Sequence, residues 1–324
     1  MASVPVHVVT GFLGSGKTTL LNAAMISGFG HGTAVIVNEF GEVGLDQAFI
    51  QTASEEVVVL RNGCICCRIR EDLGATLMQL AELRDRSLPL DRVVIETSGI
   101  SDPEPILQTL RADFALRARF HVGSVVCTVD ALTPAIGALS SPESMAQISA
   151  ADALVVTKSD LAPEGAGRVA DELAALHPDA AFIAADGVAL SRFLRQREAS
   201  PPARFPADFA IRPIAHARPH GVSSVVIRDA APQSWSAFVV WLTALLHVHG
   251  DRILRTKGIL RDAATAGWIG VHGVRRFLHA PVHLSFETPP QCGSCLVFIT
   301  AGLDPARIER SYRRHAGDSG AAAA

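Results

Sequence analysis

Short apolar, β-branched runs alternate with longer amphipathic stretches over the first half of the chain: VPVHVV, then TTLLNAAMI, then TAVIV. This alternation is the βαβ signature of a mostly parallel sheet covered by helices. Further strands are expected at EVVVL (56–60), RVVIE (92–96), GSVVCTVD (123–130) and ADALVVT (151–157), a weaker one at AAFIA, with helical periodicity between them. From about Ala185 the chain becomes rich in Arg, Pro and Ala and poor in β-branched residues, as in LSRFLRQREASPPARFPADFAIRP, which reads as a linker. Beyond it the pattern predicts a strand (SSVVIRD), an apolar helix around WSAFVVWLTALLHVHG, strands at WIGVHGVRRFL, VHLSF and LVFIT, and a short helix after Asp304. The expected organisation is an α/β domain over 1–185, a linker over 186–212, a smaller α+β domain over 213–316, and a tail over 317–324 with nothing to pack and so disordered.

Composition agrees with two cores: of 324 residues 48% are hydrophobic and only 19% charged, with a mean hydropathy of +0.27. A net charge of -3 and the absence of any long Lys/Arg run argue against nucleic acid or an anionic membrane as principal partner. Neither a secretory signal nor a stretch of transmembrane length is visible, so a cytoplasmic protein is expected. The six cysteines stand at 64, 66, 67, 127, 292 and 295, and the two tight clusters suit metal binding in a reducing compartment better than disulfides.

The segment Gly11-Phe-Leu-Gly14-Ser15-Gly16-Lys17-Thr18 matches G-x-x-x-x-G-K-[ST], with a strand before it and a helix starting within it. Glycines let backbone N–H groups turn inward around phosphates, and the helix N-terminus adds its positive dipole end. Lys17 then reaches the terminal phosphates and Thr18 offers a hydroxyl to Mg²⁺. Such a loop also needs an acidic residue at a strand end for the metal, and RVVIETSG supplies Glu96, with Gly99 placed to approach the γ-phosphate by its N–H. Taken alone, Glu96 also reads as the cap of the following turn.

At the end of ALVVT stands Thr157-Lys158-Ser159-Asp160, which resembles the N-K-x-D signature of guanine-nucleotide binding, with Thr157 where Asn is usual. Asp160 can accept two hydrogen bonds from guanine's ring N–H and amine. Against adenine that carboxylate is left unpaired, at a cost of about 1–3 kcal/mol or more. Lys158 would lay its stem over the base, and the Thr157 hydroxyl can tie this loop to the phosphate loop. A strand-to-helix turn capped by Ser-Asp is the plainer alternative.

Cys64, Cys66 and Cys67 follow EVVVL and precede a helix near Ile69. Soft thiolates at a strand end beside a helix N-terminus select Zn²⁺ or a neighbouring late first-row ion, and three ligands leave a tetrahedral fourth position open. Between the second strand and this cluster lies NEFGEVGLD (38–46), placed where a first switch would sit; Glu39 is a tentative metal contact, while Glu39, Glu42 and Asp46 also read as solvated loop carboxylates. Cys292 and Cys295 form half of a zinc knuckle, or an exposed turn before LVFIT. His247-Val-His249 on an apolar helix reads as ordinary core or surface histidine.

The series GFLGSGKTTLL, NEFGEVGLD, NGCICC, ETSGISDP and TKSD, in this order, resembles the CobW-type GTPase metallochaperone family, and Lys257-Gly-Ile-Leu, Val271-His-Gly-Val-Arg and LVFITAGLD extend the likeness into the second domain. The resemblance implies a P-loop NTPase of the SIMIBI class and a CxCC site that takes Zn²⁺ or Co²⁺ chiefly with GTP bound. It also implies a C-terminal domain that recognises a client metalloenzyme or cobalt-inserting machinery. It carries over Gly16, Lys17, Thr18 and Thr19 as phosphate and Mg²⁺ contacts, Lys158 and Asp160 as base contacts, and Cys64, Cys66 and Cys67 as metal ligands. The long His-rich tract of many zinc-delivering members is missing. The expected function is a slow GTPase that loads and delivers a transition metal under nucleotide control. The competing readings are a P-loop small-molecule kinase with structural cysteines and a GTP-binding metal sensor or scaffold that scarcely turns over. A homodimer stays open.

Overall fold

The computed structural model describes residues 3–37, 59–61, 69–86, 89–132, 141–198, 222–278, 280–284, 286 and 293–321, which fall into two compact units. The first, Met1–Ala170 with Ala180–Pro201, is built on a seven-stranded sheet of β1 (Val4–Gly11), β2 (Thr33–Val37), β3 (Val59–Arg61), β4 (Arg92–Glu96), β5 (Phe120–Asp130), β6 (Ala153–Thr157) and β7 (Ala181–Phe182). The strand order is β3-β2-β4-β1-β5-β6-β7 and every pair is parallel. Its helices are α1 (Lys17–Ala24), α2 (Ile69–Asp85), α3 (Glu104–Ala112), α4 (Phe114–Arg119), α5 (Pro142–Ala150), the first part of α6 (Pro163–Leu176), whose residues from Asp171 on are assigned to the second unit, and α7 (Gly187–Glu198).

β1 is buried at all eight positions because helices cover both faces of the sheet, and its side chains alternate between two cores. Val6 and Val8 pack with Leu77, Leu80, Ile95 and Leu107 on one face. Val9 packs with Leu20, Leu21, Val94 and Val155 on the other. Register then aligns the carboxyl ends of four strands: Val9 pairs with Glu96, Gly11 with Thr128, and Asp130 with Thr157. In an open parallel sheet that edge, at the strand where the order reverses, is where ligands bind.

Helix α7 occupies the stretch read as the start of a linker. Leu190 and Leu194, one turn apart, are fully buried in the α1 core, and a Cβ on Gly187 would fall within 2.2–2.4 Å of the Ala23–Ala24 backbone. The Arg-rich composition that suggested a linker is the outer face of this helix. The last helix likewise continues to Ala321, into the stretch expected to be disordered.

The second unit comprises Asp171–Asp179 and Pro202–Ala324. Its sheet runs β11 (Phe277–Leu278), β10 (Trp268–Val274), β9 (Ile253–Arg261), β13 (Ser294–Ala301), β8 (Val222–Asp229), with β12 (Val282–Leu284) also on β10, and its pairs are antiparallel. Helices α8 (Trp235–His249) and α9 (Pro305–Ala321) cover one face through Phe238, Trp241, Leu242, Ile308 and Tyr312. Sequence reading omitted β9, the central strand, because Arg255 and Lys257 break its apolar run. Arg255 is 1% exposed and lies 3.9 Å from the buried Asp179 carboxylate, with Lys257 at 3.4 Å and His177 Nδ1 at 2.9 Å. Paired this way, a buried cation is tolerated inside a strand. Cys295 is not in an exposed turn: it lies in β13 with Ile259, Leu284 and Val297, while Cys292 falls outside the described residues.

Candidate functional site

β1 runs directly into the phosphate-type loop. Gly11, Gly14 and Gly16 take φ of 140°, 72° and 85°, a backbone that turns N–H groups inward and that an L-residue adopts only with strain. At Gly11 a side chain is impossible as well, since a Cβ would lie 2.4 Å from Thr128 O and Oγ1. Gly16 is the N-cap of α1 and no side chain caps it, so the helix presents bare N–H groups and its dipole end to the loop. Lys17 folds over the loop, its Nζ donating to Gly11 O at 2.9 Å and Phe12 O at 3.1 Å.

Thr18 and Glu96 come together across 78 residues: the Thr18 hydroxyl donates to Glu96 Oε1 at 2.6 Å, with Glu96 only 4% exposed. A hydroxyl and a buried carboxylate side by side at a P-loop form a hard oxygen donor set that fits Mg²⁺. The turn after Glu96 is sewn to β1, Thr97 N donating to Val9 O at 3.0 Å and Thr97 Oγ1 to Thr10 Oγ1 at 2.8 Å. Gly99 lies against the loop, a Cβ there falling 2.6 Å from Leu13 N and Cα.

The hydroxyl that stands in place of Asn does tie the two loops. Thr157 Oγ1 donates to Ser15 O at 2.7 Å, and its side chain lies 3.6 Å from the Cβ position of Gly16. Ser15 is also held from below by Thr128, hydroxyl to hydroxyl at 2.7 Å. Lys158 takes a left-handed φ of 56° and its Nζ pairs with the Asp130 carboxylate, which also accepts from Leu132 N at 2.7 Å. Asp160 and Thr19 are exposed. Asp130 and Thr128 were not among the sequence candidates. They belong to no local motif and are brought in by the β1–β5–β6 register.

The structure therefore gathers Gly11, Gly14, Ser15, Gly16, Lys17, Thr18, Glu96, Gly99, Thr157 and Lys158 on one sheet edge. Glu39, Cys64, Cys66 and Cys67 lie outside the described residues. Cys127 sits in β5 at 1% exposure. Burial pushes its thiol up to about 12 against the opposing pull of Lys17, so it stays protonated and unreactive. No helix among the described residues is long and apolar enough to cross a membrane.

Comparison with known proteins gives the same picture. Residues 5–184 match the model of the CobW/HypB/UreG nucleotide-binding domain and residues 222–314 that of the cobalamin synthesis protein cobW C-terminal domain. The zinc chaperone YjiA of Escherichia coli is 31% identical over 325 residues, 96% of this chain and 98% of that protein. The zinc chaperone CobW of Pseudomonas aeruginosa is 34% identical over 215 residues, 56% of each. The crystal structure of Zn(II)-bound YjiA GTPase from E. coli superposes with a TM-score of 0.73 at 26% identity, covering 97% of this chain and 99% of that one. With a phosphate loop, a loop-tying Thr157 and a family model matching each half, this chain belongs to the CobW/HypB/UreG family, in the branch that carries a cobW C-terminal domain.

Proposed function

We propose that this chain is a GTPase that uses bound nucleotide to control the loading of a transition metal, zinc first among them, and its delivery to a client metalloprotein. The observation that carries the GTPase half is the joined pair of loops, where Thr157 Oγ1 reaches Ser15 O at 2.7 Å and so sets the TKSD loop at a fixed distance from the phosphate loop. A base and a triphosphate are read by two loops, and their tie makes one binding surface of them.

Each residue has a role that its position supports. Lys17 exchanges the carbonyls of Gly11 and Phe12 for phosphate oxygens, trading neutral acceptors for charged ones. Thr18 and Glu96 would hold Mg²⁺, which supplies charge neutralisation at the phosphates when bound. Gly99 offers its backbone to the third phosphate, and Lys158 and Asp160 take the base, with Asp130 steering Lys158 until the base arrives. The metal half rests on Cys64, Cys66 and Cys67 and on relatives named zinc chaperones. Thiolates favour zinc and tolerate cobalt, and nucleotide control follows if residues 38–46, between β2 and the cysteines, respond to the third phosphate.

Steady-state phosphate release from GTP, with ATP as control, tests the first half. Guanine-selective turnover that Asp160→Asn relaxes is expected, and equal turnover of both nucleotides in the wild type overturns it. Co²⁺ titration with a non-hydrolysable GTP analogue tests the second half. One equivalent should give intense thiolate–cobalt bands that Cys66→Ser removes, and bands that survive all three single serine variants place the metal elsewhere.

A further inference from the structure

Helix α5 packs against the central sheet with nearly its whole surface buried, and within it Gln147 is completely enclosed. Its Nε2 donates to the carbonyl of Gly99 at 3.1 Å and to that of Ser101 at 3.0 Å. Two carbonyl partners fix which end of the amide carries the hydrogens, and Oε1, equally buried, accepts nothing among the described residues. A buried amide with one unmet acceptor is costly, so its two bonds should matter more than those of a surface glutamine.

The clasped segment does not need Gln147 in order to turn. Ser101 N already donates to Ser98 O at 3.2 Å, and the two serine hydroxyls meet at 2.6 Å. The glutamine adds orientation instead. Holding Gly99 O fixes the plane of the Gly99–Ile100 peptide, whose trans geometry directs the Ile100 N–H opposite to that C=O, and it steadies the turn that carries the neighbouring Gly99 N–H on the preceding peptide. The same Gly99 stands so close to the phosphate loop that a Cβ there would fall 2.6 Å from Leu13 N and Cα. A chain of contact thus runs from α5 through Gln147 and Gly99 to the loop, all within the first unit.

We propose that Gln147 is a positioning residue for the third phosphate: it holds the Ser98–Ser101 turn against the phosphate loop, so that GTP, and not GDP, meets preset backbone donors. This rests on the reading of the loop as a GTP site. GDP ends short of the turn and gains nothing from its orientation, whereas the γ-phosphate is gripped or missed according to it. A misplacement of about 1 Å at a reacting group can cost on the order of 10²-fold in rate.

The test compares affinities for GDP and a non-hydrolysable GTP analogue, both with Mg²⁺, in the wild type, Gln147→Met and Gln147→Glu. Met keeps the length without donors, and Glu keeps the shape but aims an acceptor at two carbonyls. GDP affinity should stay within about twofold while analogue affinity falls roughly tenfold or more, with a matching loss in single-turnover hydrolysis. Parallel loss of both nucleotides, or loss of neither, overturns this inference and leaves the GTPase reading standing. A wild-type chain that binds no guanine nucleotide overturns both. Should both variants fail to fold, the side-chain amide protons of Gln147 in the wild type decide the matter by NMR. Slower exchange with the GTP analogue than with GDP supports the role, and identical exchange overturns it.

Discussion

Thr157 shows how much one hydroxyl can do. It joins two loops 142 residues apart through the Ser15 carbonyl, and Thr157→Val would leave that buried carbonyl without its partner at a cost of about 1–3 kcal/mol. Guanine-nucleotide affinity should therefore drop in Thr157→Val together with the melting temperature of the first unit, whereas a surface control such as the exposed Gln196→Ala leaves both unchanged. Isothermal titration and calorimetry on the same samples check both. The residues that were legible in the sequence are those whose chemistry is local. The glycines of the loop, Lys17 and Thr18, and likewise Thr157 and Lys158, which the structure brings to one sheet edge, stand within a few positions of one another. Glu96 needed the preceding strand. Asp130 and Gln147 were illegible, because their partners stand 28 and 46–48 residues away and only the folded sheet edge brings them together.

At the scale of elements, the parallel sheet was readable because strands buried on both faces are near-continuous apolar runs, and β1, β2, β4, β5 and β6 fall where the pattern put them. The failure at β9 has one physical cause, a cation-bearing strand whose charges are met by Asp179 on a distant segment. The cluster also predicts acid sensitivity. Burial pushes the His177 imidazole below its ordinary value of 6.5, with Asp179 opposing, so the ring is neutral at neutral pH. Burial alone would raise the Asp179 carboxyl, but His177, Lys257 and Arg255 outweigh it and hold it well below 3.8. Both groups bind protons more weakly when folded. Their stabilisation is therefore complete above the unfolded values and is lost as pH falls, first below about 6.5 for His177 and then below about 3.8 for Asp179. The melting temperature of the second unit should fall between pH 7.5 and pH 5 and again towards pH 3, and the first step should be absent in His177→Asn. Asp179→Asn takes the buried carboxylate away from His177, Lys257 and Arg255 and should cost about 1–3 kcal/mol at pH 7. Denaturant unfolding measures it, and a loss below about 1 kcal/mol would mean the pair is dispensable.

For the molecule as a whole, the proposed control of metal by nucleotide is a statement about linkage. If GTP tightens the metal by some factor, the metal must tighten GTP by the same factor. Affinities for a GTP analogue measured with and without Zn²⁺, and for Zn²⁺ with and without the analogue, should close that cycle with a coupling of roughly 1–3 kcal/mol, and GDP should give less. Equal affinities in all four corners would leave a GTPase with no hold on its cargo.

Cys127 and Cys295, one in each unit, are both buried thiols. An alkylating reagent reaches such a group only when the surrounding structure opens, so each reports the opening of its own unit, as a slow chemical clock built into the chain. Under native conditions a saturating GTP analogue should slow the labelling of Cys127 by the factor with which it favours the closed state, while that of Cys295 keeps its pace. Mass spectrometry of the two peptides after timed quenching would then show whether the nucleotide steadies half of the molecule or all of it.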